Sequence, residues 1–100
     1  MIRHIVMFKL KATEGMSEYD NALEAEKRFG KVIENVECMK KGELVINSKE
    51  ADQSNYTISL ICDFDNINDL NAYQVHPVHV EFAKFLGTVK TERACIDYEI

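Results

Sequence analysis

Tryptophan is absent from the 100 residues, proline occurs once and glycine four times. So few chain breakers leave no place for a linker, a low-complexity stretch or an internal repeat, and a single domain over residues 1–100 is expected. The three cysteines, Cys38, Cys62 and Cys95, are odd in number, widely spaced and lack a C-x-x-C pair. That pattern argues against a disulfide framework or a zinc knuckle and fits buried thiols in a reducing compartment. Basic residues are scattered and outnumbered, 12 Lys and Arg against 17 Asp and Glu, for a net charge of -5. No footprint for nucleic acid or an anionic membrane results, and neither is expected as a partner. No apolar run approaches the roughly 18 residues of a membrane span, and Met1 to Phe8 is too short for a signal-peptide core, so a cytoplasmic location is expected. What is present is 46% hydrophobic and 29% charged, enough apolar side chain to bury a core without staples.

Ile2 to Leu10 is rich in β-formers, with Lys9 its first clear polar break, which predicts a strand buried on both faces with His4, Val6 and Phe8 on one side. Ser17 followed by Asp20 marks a helix start, and Tyr19, Leu23, Phe29, Val32, Ile33 and Val36 continue at helical spacing. Val36 to Asn47 reads as a strand with a bulge around Lys40, Lys41 and Gly42, and polar Lys49 to Asn55 as a connection. Tyr56 to Phe64 alternates cleanly, with Tyr56, Ile58, Leu60, Cys62 and Phe64 on one face. Asn66 with Asp69 opens a second helical region, Pro77 must break or restart it, and Gly87 is expected to end it. Lys90 to Ile100 alternates again, Ala94, Ile96, Tyr98 and Ile100 opposing Arg93, Cys95, Asp97 and Glu99.

The order βαββαβ predicts an α+β, ferredoxin-like fold, one antiparallel sheet with its helices on one face. The other sheet face then carries Ile5, Met7, Ile61, Ile96, Tyr98 and Ile100, too apolar for open water. Two such faces packed together predict a homodimer with two-fold symmetry.

Tyr73, His76, Pro77 and His79 form the pattern Y-x-x-H-P-x-H. It resembles the signature of the stress-responsive dimeric α/β-barrel (Dabb) family, and the flanking segments Ile2 to Lys9 and Ile96 to Tyr98 are similar to that family's first and last strands. The resemblance implies a dimeric α/β barrel. It also points to the family's plant polyketide cyclases, which close a linear polyketide by aldol-type condensation without a cofactor. Carried over by position, it implies Tyr73 and His79 as the acting pair, Asp97 as the residue that orients the histidine, and His4 in the pocket.

Such a closure needs a base near neutral pKa beside a carbonyl and a donor for the enolate oxygen, the two types that His79 and Tyr73 supply. On an unbroken helix positions 73 and 79 differ by about 240° net, so only a break at Pro77 lets them converge. Val6, Phe8, Leu60 and Phe82 are expected to complete the pocket wall around a small apolar or phenolic ligand. The structural alternatives stay open: His76 simply joining two helices, Tyr73 buried with its hydroxyl on a backbone carbonyl, and His79 a core histidine paired with Asp97. His76 and His79 with His4 are too weak a pattern to predict a metal, and no cofactor is expected. The leading expectation is a small-molecule-binding or cofactor-independent lyase of cyclase type. The alternative is a non-catalytic stress protein acting through its assembly, and a third reading is a cofactor-free monooxygenase.

Overall fold

The computed structural model describes residues 1–100 as β1 (Ile2–Leu10), α1 (Glu18–Asn35), β2 (Met39–Ile46), β3 (Ile58–Phe64), α2 (Ile67–Val75), α3 (Pro77–Val89) and β4 (Lys90–Glu99). The strands form one antiparallel sheet in the order β2-β3-β1-β4, the ferredoxin-like arrangement that the element order predicts, with its second helical region split in two. No helix is long and apolar enough to cross a membrane.

Side chains of a strand alternate between faces, and here the helices cover only one of them. Ile2, His4, Val6, Phe8 and Leu10 of β1 are buried together with Ile58, Leu60, Cys62 and Phe64 of β3. Onto this face pack Ala22, Ala25, Phe29 and Val32 of α1, Leu70 and Tyr73 of α2, and Phe82, Leu86 and Val89 of α3. The expectation that β1 is buried on both faces fails within the single chain: Met7 is 36% exposed, and Ile96, opposite Ile5 on the same open face, is 61% exposed. Cross-strand pairing lines up Ile96, Ile5 and Ile61 in one row of that open face, and Tyr98, Arg3 and Asp63 in the next. Arg3 grips the buried carboxylate of Asp63 with two hydrogen bonds of 2.8 and 3.0 Å. These bonds hold Asp63 below the usual carboxylate range.

Local signals explain the element ends. Ser17 accepts from the Asp20 N–H while the Asp20 side chain accepts from Ser17 N–H, a reciprocal cap that starts α1. The buried stripe of α1 is Ala22, Ala25, Phe29 and Val32, while Tyr19, Leu23 and Ile33 are exposed; the small size of Ala22 and Ala25 lets the helix approach the sheet. Val36 caps α1, so β2 begins at Met39, and a register shift falls between Met39 and Lys41, at the expected bulge. β3 starts at Ile58 instead of Tyr56, because the buried Thr57 hydroxyl accepts from Leu10 N–H and donates to Glu18. Gly87 does not end α3. The helix continues to Val89 with no left-handed residue, and Lys90 is its extended cap.

Phe29→Ala removes a ring that is 1% exposed and stands 5.4 Å from Phe82, and is expected to cost about 3–5 kcal/mol. Leu23→Ala on the solvent side of the same helix should change stability by no more than about 0.5 kcal/mol. Urea unfolding of the two variants at equal protein concentration measures both.

Candidate functional site

At the α2–α3 junction, proline cannot donate to the helix ladder and holds the residue before it out of the helical region. His76 accordingly is extended, with φ -63° and ψ 133°, and serves as cap to both helices: its N–H donates to Tyr73, and its Nδ1 accepts from Val78 N–H at 3.1 Å. His76 is therefore the joint between two helices. The bend brings the chain back on itself, and the rings of Tyr73 and His79 meet with centroids 4.2 Å apart, tilted by 50°. The break at Pro77 thus makes the two residues converge. His4 stands edge-on to Tyr73, 6.1 Å between centroids.

These rings face a cavity of about 180 Å³ between the covered sheet face and helices α2 and α3. Its wall includes His4, Val6, Phe8, Leu60, Tyr73, His79 and Phe82, the residues singled out in the sequence apart from Asp97. Alternation explains the strand contribution, since His4, Val6 and Phe8 share one side of β1 and Leu60 pairs with Val6. The wall also takes in Gln74, Ala83, Leu86, Lys90 and Arg93, which the sequence reading missed. Arg93 lies opposite Phe8 across β1 and β4, so the alternation of β4 was the signal that could have found it.

Asp97 does not orient His79. Its carboxylate accepts from His4 Nδ1 at 2.5 Å, because residues 4 and 97 are direct cross-strand partners. The partner of His79 Nδ1 is instead the backbone carbonyl of Gln74, at 3.1 Å. A carbonyl can only accept, so this contact puts the proton on Nδ1 and leaves the Nε2 lone pair free. Burial lowers the His79 pKa, the Gln74 carbonyl opposes that, and the positive fields of His4, His76 and Arg93 lower it further. His79 is thus a neutral imidazole at pH 7 with one nitrogen available as a base. Tyr73 is 1% exposed. Burial, reinforced by the neighbouring Cys62, lifts its pKa well above the ordinary value, so its hydroxyl keeps its proton and is a donor. The Cys62 thiol is itself pushed up to about 12, chiefly by burial, and is inert as a nucleophile.

Only one trio of donor groups is close enough to share an ion: His4, Cys95 and Asp97, all within 4.8 Å of one another. Cys95 Sγ is 3.5 Å from His4 Nδ1 and 3.9 Å from Asp97 Oδ1. Two donors on one tetrahedral zinc stand roughly 3.3 Å apart, given legs of about 2.0–2.1 Å. The 2.5 Å contact of His4 with Asp97 is closer than that, a direct hydrogen bond between the two. A wider groove of 640 Å³ runs outside, between α1 and α3, walled mainly by solvated charges such as Glu24, Lys27, Arg28, Lys31 and Glu81. It contains none of the three rings.

Comparison with known proteins gives a consistent family. Residues 2–100 match the family described as Stress responsive A/B Barrel Domain. A dimeric protein of unknown function with a ferredoxin-like fold from Bacteroides fragilis is 32% identical with TM-score 0.78, the match covering 99% of this chain and 95% of that one. A Dabb family protein from Mesorhizobium loti is 25% identical with TM-score 0.72, over 99% and 95% of the two chains. A hydroxynitrile lyase from Passiflora edulis shares the fold at 19% identity and TM-score 0.78, over 99% and 92%. No curated protein matches the chain.

The lowered His79 pKa has a stability consequence with a definite sign. The unfolded chain, near its ordinary 6.5, takes up the proton before the folded one does. Stability is therefore full above that value and is lost as the pH falls from there toward the lower folded pKa. His79→Gln should lose less stability than wild type between about pH 7.5 and about pH 5, measured by urea unfolding at both. In NMR spectra at one fixed pH, Asp97→Asn should move the ring signals of His4 and leave those of His79 where they were, because the carboxylate contacts His4 and the carbonyl of Gln74 contacts His79; movement of His79 would restore the pairing that the geometry rejects.

Proposed function

Because the chain belongs to the stress-responsive A/B barrel domain family, we propose that it is a cofactor-independent enzyme acting on a small molecule, in which His79 is the base and Tyr73 the oxyanion donor. The observation that carries this reading is the contact of the Tyr73 and His79 rings at the wall of a cavity shared with His4. In the proposed reaction His79 Nε2 removes a proton from the carbon beside a carbonyl. The electron pair moves onto the carbonyl oxygen, where the Tyr73 hydroxyl donates to it. The enolate carbon then attacks a second carbonyl, and protonated His79 returns its proton to the alkoxide formed. Run in reverse, the same two groups cleave a carbon–carbon bond, the direction of lyase chemistry, and the lyase among the structural neighbours is in keeping with that. Gln74 takes the orienting role for His79, while Asp97 holds His4 as an auxiliary group.

Cavity size narrows the substrate. An apolar cavity near 150 Å³ holds a benzene molecule, so 180 Å³ accommodates a single ring or a short oxo compound. The same cavity favours an enzyme over a protein that acts only through assembly, for which close-packed side chains would serve better.

The open sheet face supports a homodimer as the working form. Ile5, Ile61 and Ile96 form an apolar row there, and the relative at 32% identity is dimeric. Ile96→Lys should yield a monomer by sedimentation equilibrium; an unchanged dimer would place the contact elsewhere.

The chemistry is tested by deuterium exchange at the carbonyl-adjacent carbon of single-ring hydroxyaryl ketones and short oxo acids, followed by NMR. Wild type should accelerate exchange for some of them, His79→Ala should lower the rate by about 10²–10⁴, and Tyr73→Phe by about 10²–10³. No exchange with any substrate, with His79→Ala altering stability alone, would favour the assembly protein.

A further inference from the structure

We propose that the cavity recognises a substrate bearing a carboxylate, with Arg93 and Lys90 as the groups that bind it. This inference rests on the reading of the cavity as the substrate site and names the class of substrate it takes.

The chain has more acidic than basic residues and a net charge of -5, yet the cavity wall carries Lys90 and Arg93 and neither an aspartate nor a glutamate. Such a local reversal of charge makes a field that draws anions into an otherwise acidic protein. Neither cation is neutralised. The ion pairs of the molecule use the N-terminus, Arg3, His4, Lys9, Arg28, Lys40 and Lys84, and leave Lys90 and Arg93 without a carboxylate partner.

Backbone geometry brings the two to one end of the cavity. Lys90 is the residue where α3 passes into β4, and its Nζ stands 5.8 Å over the ring of Phe8. Arg93 is the cross-strand partner of the same Phe8, while His4 pairs with Asp97 four residues further along β4. The cavity therefore has His4 toward one end, Phe8 with its two cations toward the other, and Val6, Leu60 and Phe82 along the apolar wall. A guanidinium presents a planar fork that matches the two oxygens of a carboxylate, and an ammonium adds a point charge beside it. A flat ring carrying a carboxylate meets the size, the apolar wall and the charge together. An oxo acid would then be held by its anionic end, with the C–H beside its oxo group presented to His79.

The test uses benzoate and its neutral isostere benzamide as probes on the purified protein, by titration calorimetry and amide NMR. Benzoate should bind wild type at least about tenfold more tightly than benzamide, as expected for a charge-assisted contact. Arg93→Gln and Lys90→Gln should each weaken benzoate by about tenfold and leave benzamide unchanged. Added salt should weaken benzoate alone. Equal binding of the two probes, or benzoate binding that ignores both substitutions, overturns the carboxylate assignment. If benzamide still perturbs the amides of Leu60 and Phe82 in that case, the cavity remains the ligand site and only its charge preference is wrong. If neither probe perturbs them at millimolar concentration, both readings fall.

Discussion

Side chains of β1 point alternately to the two faces of the sheet, and because β1 pairs with both β3 and β4, its register decides where the side chains of three strands go. The even positions put His4, Val6 and Phe8 under the helices, and through pairing they carry Leu60, Cys62, Arg93 and Asp97 to the same side. The odd positions put Ile5 and Met7 on the open side with Ile61 and Ile96. A one-residue slip would exchange these sets, sending the imidazole of His4 outward and apolar Ile5 inward. Cavity wall and open apolar face are thus two consequences of a single register.

The second constraint is the missing N–H of Pro77. Without it α2 and α3 would run on as one rod, and Tyr73 and His79 would point away from each other. With it, His76 is held extended and spends its own N–H and ring nitrogen on capping. His76 is thereby committed to structure, while His79, three residues on, keeps a free nitrogen. Of the two histidines of this short motif, the one that precedes proline is spent as the joint and the other keeps a ring nitrogen unspent.

Electrostatics then sets the protonation states. Burial acts in opposite directions on a base and an acid: it strips the proton from His79 and keeps the proton on Tyr73, since in each case the charged form is the one disfavoured. An acceptor and a donor therefore face one small space at neutral pH. The choice of Gln74 over Asp97 as the partner of His79 is part of the same logic. A neutral carbonyl fixes the tautomer while lending the imidazole less proton affinity than a carboxylate would.

Strand alternation, the reciprocal cap at Ser17 and Asp20, the bulge near Lys40 and the break at Pro77 were all legible in the chain, because each depends on residues close in sequence. For the same reason the residues of the pocket wall on β1 and β3 could be named, and the family resemblance added Tyr73 and His79. What misled was judged from side-chain size or residue type alone: Leu23 and Ile33 looked like core where Ala22 and Ala25 are, and Gly87 looked like a helix end. The partner of Asp97, the approach of Tyr73 to His79 and the presence of Lys90 and Arg93 at the cavity belong to tertiary structure. Each depends on the pairing of β1 with a strand some 90 residues away, or on the angle between two helices. The sequence by itself determined which groups of the chain can donate, accept or bury; only packing decided which of them meet, because contact between distant segments depends on register and crossing angle, and neither is written in any local stretch.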